Sequence, residues 1–324
     1  MPHLLPALFD SLPSVPGHTW RVLEPADARA LRQLQEACTA WDGATYLLSQ
    51  DEWRAKIEAA VVGVAAANPK NEIGAYGLVT NTPGPDSERA FLEGRIHPRL
   101  RGQGIGTALL RWLEMQGRQM LAGLGSERRL LLRIMFWDRG PDAKALFEQQ
   151  GFRLLYVEEE LRTRLSASRF HVTLPPACTL EYWTPATAND FYRVYRDAFA
   201  TRTERLLDRR DWCDCWTNPN DPEFAPRFSL LMRCGAEPVA ALVGHLYERD
   251  AVHIAQFGVR PAWRRRGLGT TLLRAALDCY ADAGYRWATL MVNIDNPAAR
   301  RLYQKTGFRP SKRLTMYEKP VHTP

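Results

Sequence analysis

IHPRLRGQGIG at residues 96–106 and VRPAWRRRGLG at 259–269 carry one pattern twice. In each, a branched residue ends a stretch with strand character and a proline follows two positions later. Arginines come next, and a G-x-G pair leads into a helix that opens TALL at 107–110 or TTLL at 270–273. A second signature closes each copy, ALFEQQGF at 145–152 and RLYQKTGF at 301–308. Self-similarity on this scale is the mark of a duplicated domain. From Ile96 to Val259 the offset is 163 residues, and from Gly151 to Gly307 it is 156. Seven extra residues therefore lie in the first copy, and the loop-like GLGSERR at 123–129 is the expected place. Surface loops absorb insertions at little free-energy cost.

The surroundings repeat as well. WRVLE (20–24) and TLEYW (179–183) each precede a proline and an amphipathic helix. Proline costs no hydrogen bond at a helix start. FSLLMRC, PVAALVGHLYE and AVHIAQFGV (228–234, 238–248, 251–259) read as consecutive strands, matched in the first copy by EIGAYGLVT (72–80) and RAFLEGRI (89–96). AAVVGVAAAN, just before, is ambiguous between helix end and strand. RRLLLRIMF (128–136) and YRWATLMV (285–292) follow the two glycine-led helices, and FRLLYVEEEL (152–161) and LTMYEKPV (314–321) are the last strands. The Pro175–Pro176 pair marks the linker. Two tandem α/β domains result, 18–165 and 178–324, each a mixed, mostly antiparallel sheet with flanking helices.

A chain of 324 residues is ample for two domains, and a hydrophobic fraction of 45% is ordinary for globular protein. No apolar run is long enough to span a membrane. MPHLLPALFDSLPSVP has no basic leader region and is broken by prolines, so it does not read as a signal peptide. The six cysteines are expected to be free thiols, and the location cytoplasmic. The formal charge of +7 gathers in arginine clusters without a recognition helix or an aromatic-basic strand pattern. That favours a small polyanion over nucleic acid. Neither a nucleic acid nor a membrane is an expected partner, and the expected state is a monomer or homodimer.

Gly104 and Gly106, like Gly267 and Gly269, stand where a strand ends and a helix begins. The first turn of a helix offers unpaired N–H groups and a positive end. Glycine lets a phosphate approach them closely. A P-loop and a dinucleotide fingerprint both need other spacings. VRPAWRRRGLGTTLL and NPAARRLYQKTGF resemble the acyl-CoA-binding and C-terminal motifs of the GCN5-related N-acetyltransferase superfamily, and IHPRLRGQGIGTALL resembles the first of these closely. The resemblance covers nearly the whole chain as two domains. It implies acetyl-CoA as donor, held by the backbone of Arg264, Arg265, Arg266, Gly267, Leu268, Gly269 and Thr270. The counterpart in copy one is Arg101, Gly102, Gln103, Gly104, Ile105, Gly106 and Thr107, after Ile96. It also implies a cleft between two splayed parallel strands, here 251–259 and 285–292. Phe257 and Val259 would lie at its edge, and Asn296 would touch the cofactor or cap its helix.

Attack of an amine on a thioester needs a neutral amine, a polarised carbonyl and a proton for the departing sulfur. Tyr303, by the resemblance, donates that proton. Copy one has Phe147 at the tyrosine position and Gly140 at the asparagine position, so domain one is expected to be catalytically degenerate. The base is open among His253, Glu248 and His245. Gln256 stands where copy one has Glu93, and His253 and Gln256 are expected on opposite strand faces. Cys213-Asp214-Cys215 lacks a matching ligand pair, so no metal is expected. DWCDCWTNPNDPEF (211–224) reads as an irregular acceptor wall bearing Trp212 and Trp216. The reading that results is an N-acetyltransferase acting on the primary amine of a small molecule. The alternatives are a non-catalytic acyl-CoA-binding protein and a peptide or protein N-acetyltransferase.

Overall fold

A strand that carries apolar residues on both faces must be covered twice, and this chain builds one such strand in each half. In the computed structural model, which describes residues 12–42, 47–84, 86–138, 141–165, 170, 172–201 and 206–321, they are Ile73–Asn81 and Glu237–Glu248. Both are buried along nearly their whole length.

The strands run in chain order as β1 (Thr19–Val22), β2 (Val62–Ala67), β3 (Ile73–Asn81), β4 (Ser87–Ile96), β5 (Arg129–Asp138), β6 (Arg153–Arg164), β7 (Cys178–Tyr182), β8 (Leu230–Cys234), β9 (Glu237–Glu248), β10 (Ala251–Val259), β11 (Trp287–Asn293) and β12 (Arg309–Pro320). The chain forms two compact units. In the first the order is β1-β2-β3-β4-β5-β12, antiparallel except for the parallel pair β4–β5. Helix Ile105–Gly123 packs Leu109 and Leu113 on one face against Leu92 and Leu132. Helices Ala28–Asp42 and Gln50–Glu58 pack Leu31, Leu34 and Trp53 on the other, against Tyr76 and Leu78. In the second unit the order is β6-β11-β10-β9-β8-β7, with β10–β11 the parallel pair. Helix Leu268–Asp282 buries Leu272, Leu273 and Leu277 in one core. Helices Ala188–Phe199 and Arg209–Trp216 bury Phe191, Val194 and Trp212 in the other. Full burial of such a side chain contributes about 1.5–3 kcal/mol.

The last strands are exchanged. Unit one comprises residues up to Val157 together with Arg313–Pro324, and unit two is Glu158–Lys312. β12 pairs with β5 from Arg313 opposite Asp138 to Pro320 opposite Leu131. β6 pairs with β11 from Arg164 opposite Trp287 to Glu158 opposite Asn293. Duplicated strands offer the same antiparallel partner to either sheet, so exchange costs no pairing. The expected domains 18–165 and 178–324 follow the order of the sequence, whereas the compact units follow the exchanged strands. Deleting residues 313–321 should therefore raise amide exchange in β5, which is distant in sequence. Protection in β10 should be unchanged. Exchange rising in β10 instead would contradict the pairing.

Several sequence expectations change. The ambiguous AAVVGVAAAN is largely strand β2. Most of the insertion is helical: helix Ile105–Gly123 has 19 residues against 15 in Leu268–Asp282. A whole extra turn keeps its apolar face in phase. The segment from Asp211 begins in a helix, capped where the Asp208 side chain accepts the Asp211 N–H. The cysteines are not all free. Cys178 and Cys234, opposite each other in β7 and β8, form a disulfide, while Cys38, Cys213, Cys215 and Cys279 are free thiols. Cross-strand neighbours bring β-carbons within disulfide reach, which spacing in sequence does not reveal. Among the described residues no helix is long and apolar enough to cross a membrane.

Candidate active site

Gly267 is the N-cap of helix Leu268–Asp282 and lies in the left-handed region at φ 79°, with no side-chain cap. A Cβ there would meet nothing within 4 Å. The first bond after the cap is Thr271 N–H to the Gly267 carbonyl, at 3.0 Å. The N–H groups of Leu268, Gly269 and Thr270 are thus left without helical partners. Gly104 repeats this at φ 77°, with open space in front, ahead of Ile105, Gly106 and Thr107. Gly102 has φ 75°, and its counterpart Arg265 holds φ 61°. A non-glycine residue there costs about 1–2 kcal/mol. The left-handed step is thus retained in both loops, giving a backbone concavity of N–H groups suited to an anion.

The arginines beside the glycines are largely committed. Arg264 donates Nε to the Val259 carbonyl at 3.0 Å and Nη2 to the Ala198 carbonyl at 2.8 Å. Arg101 donates Nε to the Ile96 carbonyl and forks onto Asp42. Both arginines staple loop to strand end, and neither guanidinium points charge freely at an anion. Arg266 lies over the Trp263 ring at 5.0 Å. Arg265, Arg266 and Gln103 are exposed at the loop surface.

Gly269 faces inward. Its hypothetical Cβ lies 3.3 Å from Val259, 3.5 Å from Phe257 and 3.7 Å from Leu302, so cradle, β10 and the closing helix converge there. β10 and β11 pair only from Ala251 opposite Trp287 to Ile254 opposite Leu290, although both strands continue. Beyond Ile254 the edge of β10 near Phe257 and Val259 lies outside that ladder, with the Val259 carbonyl held by Arg264. β4 and β5 part at the equivalent residue, Phe91.

Tyr303 stands on helix Pro297–Lys305, buried, its ring 6.2 Å from Phe257 and 5.9 Å from Phe308. Burial pushes its phenol well above the ordinary range, so it holds its proton firmly. Asn296 caps this helix, its side chain accepting the Ala299 N–H at 3.1 Å. Arg300 ties it to the buried Glu159 at 2.8 Å. Asn296→Ala should cost about 1 kcal/mol in thermal or chemical unfolding, with turnover of the folded enzyme little changed. A large loss of turnover without loss of stability would give Asn296 a direct role. In copy one Phe147 packs on Phe136 at 5.3 Å and on Tyr317 at 5.7 Å. Gly140 lies outside the described residues.

The candidate bases fall in different places. Glu248 sits opposite Ala251 at the hairpin end and pairs with Arg162 at 3.2 Å, so the structure does not bring it to the parted end of the strand pair. His253 lies 2.9 Å from Thr289 Oγ1 through Nδ1, and burial pushes it down to about 4. A bulge at Ala255 corrects the facing. His253 pairs with His245 and Gln256 with Val243, residues of one face of β9, so His253 and Gln256 share that face. Phe257 and Val259 turn to the cradle side. A crevice beneath helices Ala188–Phe199 and Arg209–Trp216 is lined by Phe191, Tyr195, Trp212, Gln256 and Gly258. In it Trp212 Nε1 and Gln256 Oε1 are buried without hydrogen-bond partners. Trp216 is only partly buried. In copy one β4 pairs with β3 without a bulge, and Glu93 is occupied there by Lys56 at 2.5 Å and the Tyr76 hydroxyl at 2.7 Å. No sequence signal marked Lys56. The bulge did leave one: Val252, Ile254, Phe257 and Val259 break the two-residue alternation that Ala90, Leu92, Gly94 and Ile96 keep.

Residues 11–152 and 188–308 match the acetyltransferase (GNAT) family. The mycothiol acetyltransferase of Nocardia farcinica is 28% identical over 304 residues, covering 89% of this chain and 93% of that protein. The mycothiol acetyltransferase of Mycolicibacterium paratuberculosis is 27% identical over 330 residues, covering 93% and 96%. A GCN5-related N-acetyltransferase structure from Sphaerobacter thermophilus matches with a TM-score of 0.78 at 25% identity, over 96% of this chain and 98% of that one. A tandem GNAT protein from the clavulanic acid biosynthesis pathway shares the fold, with a TM-score of 0.66 at 14% identity, over 95% and 99%. The chain belongs to the acetyltransferase (GNAT) family, as two tandem domains with the fold of an acetyl-CoA-dependent transferase.

Proposed function

We propose that this protein transfers the acetyl group of acetyl-CoA to the primary amine of a small molecule, and that the second unit performs the chemistry. The observation that carries this reading is the meeting of an open glycine cradle, a parted strand pair and a protonated Tyr303 in one unit. The cradle fits the cofactor: Gly267 leaves room in front of free N–H groups that suit a pyrophosphate. Bound there, acetyl-CoA supplies an activated acetyl thioester. Leu268, Gly269 and Thr270 would hold phosphate oxygens through their backbone. N–H groups near Phe257 and Val259 would polarise the carbonyl. After the amine nitrogen has bonded to the carbonyl carbon, Tyr303 would give its phenolic proton to the sulfur as the carbon–sulfur bond breaks, and would be reprotonated from water, which takes up the proton lost by nitrogen. Gln256 Oε1, buried without a partner, suits an N–H of the acceptor.

His253 is held down at about 4 and is a weak base. The amine must then reach the site neutral, its proton passing to water. Two consequences follow for the pH profile. The acid limb of kcat/KM should track the pKa of each amine tested, and no alkaline limb from Tyr303 should appear below about pH 10, since burial raises that group above its ordinary value. An acid limb at one fixed pH, the same for every amine, would assign a base on the protein instead.

The similarity to mycothiol acetyltransferases over nearly the whole chain supports testing mycothiol-type acceptors first among small amines. Mass spectrometry of products from an amine panel, with peptides included, tests the acceptor class. Acetylated small amines support the reading. Acetylated peptides alone would favour a peptide acetyltransferase, and acetyl-CoA binding without any product would favour a non-catalytic binding protein.

A further inference from the structure

His245 is 1% exposed on β9, yet one of its ring nitrogens has no hydrogen-bond partner. Nε2 lies 3.0 Å from the Trp216 carbonyl. A carbonyl only accepts, so Nε2 carries the proton and the lone pair resides on Nδ1. Nδ1 is buried with no hydrogen bond. A ring nitrogen of this histidine and one carboxylate oxygen each from Asp221 and Glu223 all lie within 4.8 Å of one another. Backbone geometry fixes the three together. Leu246 N–H donates to the Glu223 carbonyl at 2.8 Å, and Phe224 bridges to His245. The Glu223 N–H donates to Asp221 Oδ1 at 2.9 Å, leaving the other carboxylate oxygen of Asp221 outside that bond.

We propose that Asp221, Glu223 and His245 form a site for one divalent transition-metal ion of the zinc class, which pins residues 217–224 to β9. The donor set is one neutral imidazole and two carboxylates. Imidazole favours zinc and its neighbours over magnesium or calcium, and two carboxylates offset the charge of the ion. A ligating histidine commonly gives its other N–H to a backbone carbonyl, which fixes tautomer and ring orientation. His245 already has that arrangement with Trp216.

Zinc titration of the chelator-stripped full chain, read against a chromophoric competing chelator, tests this. One zinc per chain is expected. Asp221→Asn and Glu223→Gln, both changes at incompletely buried positions, should each weaken it by about tenfold or more. His245→Gln should abolish it. Cys213→Ser with Cys215→Ser should leave affinity unchanged. Cobalt substitution supplies a readout that does not depend on the buried variant folding: the spectrum should lack a thiolate charge-transfer band and should change in Asp221→Asn. Absence of stoichiometric zinc overturns the proposal. So does zinc binding that survives the carboxylate changes or disappears with the two cysteines.

Discussion

Replacing Tyr303 with phenylalanine is expected to lower turnover by about 10²–10⁴-fold while acetyl-CoA affinity stays within a few-fold of wild type. The ring is buried between Phe257 and Phe308, and phenylalanine preserves that packing, so the fold should tolerate the change. Only the proton is removed. An interaction made chiefly in the transition state affects kcat and kcat/KM together and spares ground-state binding. The measurement is steady-state turnover at saturating amine, with calorimetry for affinity and thermal melting for the fold. Full turnover in a rate-limiting chemical step would remove Tyr303 as the acid.

The second large effect is at Gly267. A valine there must hold φ 79°, and its side chain would enter the open space before the helix N-terminus. Acetyl-CoA binding in unit two should weaken by about a hundredfold, the cost of losing two charge-assisted bonds of roughly 1.5 kcal/mol each or one of roughly 3 kcal/mol. Arg265 already sustains a positive φ two residues earlier, so strain alone should not unfold the loop. Gly104→Val makes the same change in unit one. It should remove one bound coenzyme if that unit holds cofactor, or none if it serves as scaffold. In either case the rate should fall far less than at Gly267, because only unit two joins cradle and Tyr303.

The glycine loops and the phenylalanine at 147 in place of a tyrosine were legible because each depends on local residue type repeated in register, and the parted strand pair was expected from the family resemblance. The left-handed turn at Gly104 and Gly267 follows from glycine between strand and helix. What was not legible depends on partners distant in sequence. The last strands are equivalent by duplication, so no residue says which sheet each will join. Cys178 meets Cys234 through strand register alone. The role of Arg264 could not be read, because arginine suits a phosphate as well as the two carbonyls it binds. The bulge at Ala255 lay between these cases. Its broken alternation was visible in the sequence, and overlooking it misassigned the relative faces of His253 and Gln256.

Amine-dependent release of free thiol from acetyl-CoA, followed in parallel for the wild-type chain, Gly104→Val and Gly267→Val, tests the central claim most directly. Thiol release that requires a small primary amine, persists in Gly104→Val and collapses in Gly267→Val is the predicted result. Equal collapse in both folded variants, or no amine-dependent release from a wild-type chain that binds acetyl-CoA, would contradict it.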